Sequence, residues 1–255
     1  MLRKNRIILA LLMKAKLIIF MLWAFPTLIC AQNVVDDEGL KQGEWSKKWK
    51  SGSTRYKGQF LNDKPVGTFY YWYVTGEPQS VLTYSAGGHI AHCVTYGLDG
   101  NVAAKGKYID QLKDSIWLFF DYQGRLRSKN NYNEGLLEGE QVTYNYAGKI
   151  MEIISYYDDM KHGDWTQFYK NGKIKVKGQW SEGYPSGKIY RYNEAGSKVL
   201  QGQFKNGLEH GWWRTYDPSG KEEQKTFYLE GKILKGKALE TYQDKMRMLK
   251  ENVQK

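Results

Sequence analysis

The chain has 255 residues, 41% hydrophobic and 25% charged, with 27 Gly, 20 Tyr, 9 Trp and only 5 Pro. This balance excludes a disordered polar chain and suits short strands joined by frequent turns. The formal charge is +11, but five basic and no acidic residues fall within residues 1–31, which leaves 33 basic against 27 acidic, or +6. So mild an excess gives no reason to expect nucleic acid as a partner.

Residues 1–31 read as a signal peptide. Lys14 and Lys16 precede an apolar run from Leu17 to Ile29, and Ala31 offers a small residue at the cut before Gln32. Arg3, Lys4 and Arg6 lie unusually far upstream, which makes Met13 the more ordinary initiator. The lysines interrupt the apolar stretch and the remainder is too short to span a bilayer, so no transmembrane segment is expected in the mature chain. At Cys30 a lipoprotein reading meets Ile29, where processing wants a small residue. Cleavage after Ala31 leaves Cys93 as the sole cysteine, so stability must come from packing and sheet hydrogen bonds. The expected destination is the periplasm, the outer-membrane surface or the medium.

Residues 32–42 form a short polar lead-in with Asp36, Asp37 and Glu38, read as a flexible start or a first cap. A period of 24 residues follows, over 43–234. Gly52, Gly76, Gly100, Gly124, Gly148, Gly172, Gly196 and Gly220 hold it without a slip, and aromatic residues from Phe60 to Tyr228 repeat in the same step. A third column, led by Gly43 and Gly67, fails only at Ala91 and Ser115. Eight units in register mean a repeat array.

With each unit counted from its leading glycine as position 1, positions 2–8 read as one strand. A glycine turn follows at position 10, then a second strand at 11–19 with clean alternation, then a turn at position 21. The fold class is therefore all-β: an elongated array of eight hairpins forming an antiparallel meander of about 16 strands. Bulky residues at position 3 (Trp45, Phe69, Trp117) differ in parity from the rings at position 6 (Trp72, Phe120, Tyr144). A bulge would put both on one face; without one the rings use both faces. Units three to five read as drifted, since they lose two leading glycines and carry Gly97 and Asn145 where other units have a ring at position 7.

Residues 235–255 change character. Leu239, Tyr242, Met246, Leu249 and Val253 are spaced as a helical seam, read as a cap over the open last strand. The alternative is a weak dimer through this helix.

The run Tyr/Phe-x-x-Gly-x-x-x-Gly-x-Trp-x-x-Tyr-x-x-x-Gly, seen at Tyr156–Gly172 and Phe204–Gly220, resembles the bacterial MORN-repeat variant family, some of whose members are labelled antitoxin-like. After Trp180, Ile189 stands where the family has an aromatic residue. The resemblance implies an elongated hairpin array that serves as an interaction scaffold.

Candidate chemistry is sparse. His89, His92 and Cys93 are the nearest thing to a metal cluster, but strand residues three apart point to opposite faces. No nucleophile motif or phosphate loop occurs, so no catalytic, cofactor or metal site is expected. The expected function is an exported, non-catalytic scaffold for protein or envelope interactions; the alternatives are a glycan- or envelope-polymer-binding module and a cryptic hydrolase. Candidate partner-binding residues are the position-15 column Lys57, Lys105, Lys129, Lys177 and Lys225, with the extra rings Trp49, Tyr70, Tyr71, Tyr73 and Trp212.

Overall fold

The computed structural model describes residues 32–253. The signal-peptide reading, with Met13 and Cys30, lies outside these residues. Within them the chain forms one open antiparallel meander in which each strand pairs with its neighbours in sequence, followed by helix α1 (Lys237–Val253). The expected all-β hairpin array is what the chain forms. The phase and number of its strands differ from the expectation.

The second strand of every unit occupies positions 12–19, from Thr54–Leu61 in the first to Glu222–Leu229 in the last. The other strand starts earlier than expected. Lys64–Trp72, for example, begins before its unit boundary, runs through Gly67 and stops at position 6. The leading glycine is thus a bulge inside a strand. Gly67 has φ of 67°, and the three residues Gly67–Phe69 stand opposite Gly58 alone, between the pairs Gln59↔Val66 and Lys57↔Tyr70. In units five and eight this crossing breaks the strand, giving Leu136–Leu137 before Gly139–Tyr144 and Leu208–Glu209 before Gly211–Tyr216. Those two breaks, plus a short strand at either end, turn the expected 16 strands into 20.

Two turn types alternate. At position 10 the glycine closes a tight loop: in the first unit the amide of Gly52 donates to Trp49 O (3.0 Å) and that of Trp49 to Ser53 O (2.8 Å). At positions 20–21 both residues have positive φ, as in Asn62 (51°) and Asp63 (61°), the two-residue turn that matches strand twist. Position 7 shapes the first turn in two ways. In four units a carboxylate or amide accepts local amides; Asp217 Oδ1, for instance, takes those of Ser219 and Lys221. Asn145 belongs to this group, accepting from Ala147 and Lys149, so its unit has not drifted there.

The core of the array lies on one face of the sheet, built mainly from positions 3, 14, 16 and 18; Phe227, at position 17, is buried on the other face beside α1. Three of the rings at position 3 pack edge-on between two position-18 rings: Phe69 against Phe60 and Tyr84, Trp117 against Tyr108 and Tyr132, and Trp213 against Phe204 and Tyr228. Trp117 is 1% exposed although the sheet is a single layer. The ring gains its room from glycine at position 16; a Cβ on Gly106 would lie 2.1 Å from Trp117. Between Leu82 and Cys93 the sizes are reversed, the small residue standing at position 3. Burial pushes the Cys93 thiol up to about 11, so it behaves as a small core residue. Position-6 rings lie on the other face, where Trp72 meets Tyr70 and Phe120 meets the Lys105 ammonium. The rings therefore use both faces.

The ends are capped unequally. Val34–Val35 pairs with Lys41 and Gln42, and Asp36, its carboxyl held low by Gln42 and by the Leu40 amide, ties that turn together. The lead-in is thus a small folded cap. At the other end Lys232–Leu234 covers only Phe227–Leu229. Tyr242 of α1 sits on Phe227, with ring centroids 5.5 Å apart, while Met246 and Leu249 stay exposed. The helix therefore caps the sheet by its first turns only.

Candidate functional site

Alternation along the second strand sends position 15 to the face opposite the core. Lys57, Lys105, Lys177 and Lys225 are exposed there, and Lys129 is half-buried. Their ladder neighbours are position-4 residues: Tyr70 beside Lys57, Leu118 between Lys105 and Lys129, and Tyr190 beside Lys177. Adjacent rungs lie about 10 Å apart, at ~4.8 Å per strand, and rungs that skip a unit about 20 Å. Val81, Ile153 and Gln201 fill the skipped rungs. None of the five lysines forms an ion pair among the described residues. Carboxylates do share this face at position 2 (Glu44, Glu140 and Asp164), some 7 Å along the strand, so charge runs in bands.

This face is grooved over two of the position-16 glycines. A cleft of about 430 Å³ lies over Gly58, lined by Glu44, Lys57, Thr68 and Tyr70. Two units on, a second of about 490 Å³ lies over Gly106, lined by Val94, Lys105, Ile116 and Leu118. Tyr70 is 48% and Ile116 46% exposed, large apolar surface left open beside the lysines. Ile116 was not singled out by sequence; the signal was there, in an isoleucine at position 2, where six of the other seven units carry Glu, Thr, His, Asp or Lys and only Trp212 is apolar.

The five candidate rings do not converge. Tyr70 and Trp212 join the lysine face, where Lys225 Nζ sits 3.9 Å from the Trp212 ring and Phe227 packs against its edge. Tyr71 faces the other way, against Tyr56 and Phe69, and burial raises its phenol above the usual range. Trp49 and Tyr73 lie in the position-10 turns along one edge, and their polar ends are used internally. Trp49 Nε1 donates to Trp72 O (3.1 Å) and Tyr73 Oη to Tyr96 O (2.9 Å), each stitching its turn to the next unit.

Around Cys93 the strand geometry separates the would-be ligands. Cys93 packs in the core, His92 lines the groove on the opposite face, and His89 Nδ1 is held by Asp110. No group of three or more ligand side chains gathers among the described residues, and no helix there is long and apolar enough to cross a membrane.

Residues 137–159 and 161–182 match the model of the MORN repeat variant. Both matches begin at position 23 and end in a two-residue turn, so each frames one physical hairpin of this sheet. The chain carries MORN-variant repeats at these two places, and the same hairpin geometry recurs along the array. MORN repeats suggest a scaffold for binding. No curated protein matches the chain. Among solved structures, a chain in "Crystal Structure of TcdB2-TccC3-Cdc42" aligns over 79% of this chain at 11% identity, with a TM-score of 0.20. This chain covers 15% of that one.

Proposed function

We propose that the protein is an exported, non-catalytic scaffold whose lysine face holds an extended anionic partner, either an acidic protein surface or an anionic envelope polymer. The observation that carries this reading is the column of five lysines without carboxylate partners, repeated at one position of the unit. A charge that folding leaves without a carboxylate is available to an anionic partner at no loss of an internal ion pair. Each exposed contact is worth about 1 kcal/mol or less, so affinity would accumulate along the array. Tyr70, Ile116 and Trp212, set among the rungs, would add apolar contact at low entropic cost. Export rests on the basic and apolar pattern of residues 1–31.

The test is binding of poly-L-glutamate as a function of salt. Changing Lys57, Lys105 and Lys177 together to Ala should weaken binding at least ten-fold at low salt and flatten its salt dependence. Changing the turn lysines Lys50, Lys170 and Lys221 should have much less effect. Equal losses in both triple variants would reduce the effect to net charge and sink the reading.

A further inference from the structure

On either side of unit three a position-3 ring links two position-18 rings. Phe69 stands 5.1 Å from Phe60 and 5.2 Å from Tyr84, and Trp117 stands 4.9 Å from Tyr108 and 6.5 Å from Tyr132. Between Tyr84 and Tyr108 this row of rings is interrupted. Both tyrosines pair across the ladder with Ala91, and position 3 of this unit is Cys93. Two strand steps, ~10 Å, separate the two backbones. The strand between them, Ile90–Tyr96, presents Ala91, Cys93 and Thr95 to the core face and no ring. An open cavity of about 300 Å³ lies at this place. Leu82, Tyr84 and Tyr108 are its half-buried walls, and Ala91 and Cys93, each 3% exposed, close its floor.

Three departures from the repeat meet here. Ala91 carries no bulge, position 3 carries no ring, and the four-residue loop 86–89 replaces the two-residue turn, so that Gly88 and His89 border the cavity. His89 is fastened to the following turn. Its Nδ1 is held by the Asp110 carboxylate, and the Asp110 amide donates to His89 O (2.8 Å). Gln111, next to Asp110, also lines the cavity. The side chains of His89 and Gln111 are both exposed, so an apolar slot has one polar end that a ligand can reach.

We propose that this cavity binds a small phenol, with its ring continuing the row between Tyr84 and Tyr108 and its hydroxyl at the His89–Gln111 end. A ring placed there meets an aromatic wall on either side, as Phe69 does between Phe60 and Tyr84. The volume suits a ligand of one ring. With Nδ1–H given to Asp110, Nε2 of the neutral imidazole is left to accept from the phenol O–H, and the Gln111 amide is a donor for the same oxygen. The Asp110 charge opposes an anionic ligand, which favours a phenol over a carboxylate. The floor supplies apolar contact alone. This site is on the face opposite the lysine column and does not depend on that column's role.

p-Cresol is a suitable probe, followed through ¹³C-labelled tyrosine rings of the protein. The resonances that disappear in Tyr84→Phe and Tyr108→Phe should shift saturably with millimolar p-cresol, while that of Tyr146, exposed on a distant turn, stays in place. Cyclohexanol, which keeps the hydroxyl and loses the aromatic ring, should bind at least five-fold more weakly. So should 4-methylanisole, which keeps the ring and loses the O–H. His89→Ala, a change at an exposed side chain, should weaken p-cresol at least five-fold with an unchanged circular dichroism spectrum and leave 4-methylanisole as it was. Ala91→Phe puts a ring of the chain's own in the slot and should abolish binding. The proposal is overturned by no saturable shift, by an equal shift at Tyr146, by equal affinity for either analogue, or by full p-cresol affinity in a folded form of either variant.

Discussion

At the start of unit three Ala91 lies in a strand without positive φ, whereas at the start of unit four Ser115 keeps a φ of 58°. Both positions lack the leading glycine, and both units keep the 24-residue step. Before Ala91 the pairing runs unbroken from Ser85↔Ile90 to Ser80↔Thr95, with a four-residue loop 86–89 in place of the usual two-residue turn. The two extra residues of the bulge have moved into the loop, where Ala86, Gly87 and Gly88 take the positive φ, so position 1 needs no left-handed residue and glycine is dispensable there. Before Ser115 the bulge persists between Lys107↔Asp114 and Lys105↔Leu118, and serine occupies a conformation that favours glycine. Loss of a consensus residue therefore means relaxed geometry in one unit and retained strain in the other.

The two units also differ in how they fill the core, and that is where the largest contrast is expected. Trp117→Ala should cost about 3–5 kcal/mol, because a buried ring leaves a cavity over Gly106 that the backbone cannot close. Cys93→Ala should cost only about 1 kcal/mol. Chemical denaturation of both variants checks the ratio, and equal losses would break the contrast.

Next in size is Ala91→Gly, expected to destabilise by about 1 kcal/mol through chain entropy and a lost buried methyl group. Ser115→Gly should act in the opposite sense, stabilising by about 0.5 kcal/mol as relief of positive φ exceeds the entropic penalty. Melting curves with the same sign for both changes would refute the assignment of strain to unit four alone.

The smallest effect is one of pH. The Ser115 hydroxyl, with Lys107 beside it, holds the Asp114 carboxyl below the usual carboxylate range against partial burial. A depressed folded pKa gives stability that is present above the unfolded value, about 4, and lost as pH falls through the folded one. Stability should therefore decline with acid in this window, and less so in Ser115→Gly, where the Asp114 titration moves up toward the ordinary range. Carboxyl NMR titration of the two proteins reads the shift directly.

The period, the hairpin architecture and the position-10 turns were legible in sequence because a positive φ admits few residues besides glycine, and Gly52 to Gly220 mark it eight times. The strand phase was not, because Gly67 reads as punctuation between units while it sits inside Lys64–Trp72. Nor was the second turn fully visible: Asn62-Asp63 and Asp158-Asp159 take positive φ with no glycine at all. The lysine column was readable as a residue type at a fixed phase. The roles of Trp49 and Tyr73 were not, since their acceptors are backbone carbonyls of the next unit, set by how hairpins stack.

Apart from the two places where a broken strand is passed over, every strand in the array pairs only with strands adjacent in sequence. Forming any one contact therefore closes a short loop, with a small entropic barrier despite an all-β structure. Folding can begin at any well-matched pair of hairpins and spread toward both ends. The pairs built around Phe69 and Trp117 are the natural starting points, and the thinly covered last strand is where the array would begin to come apart.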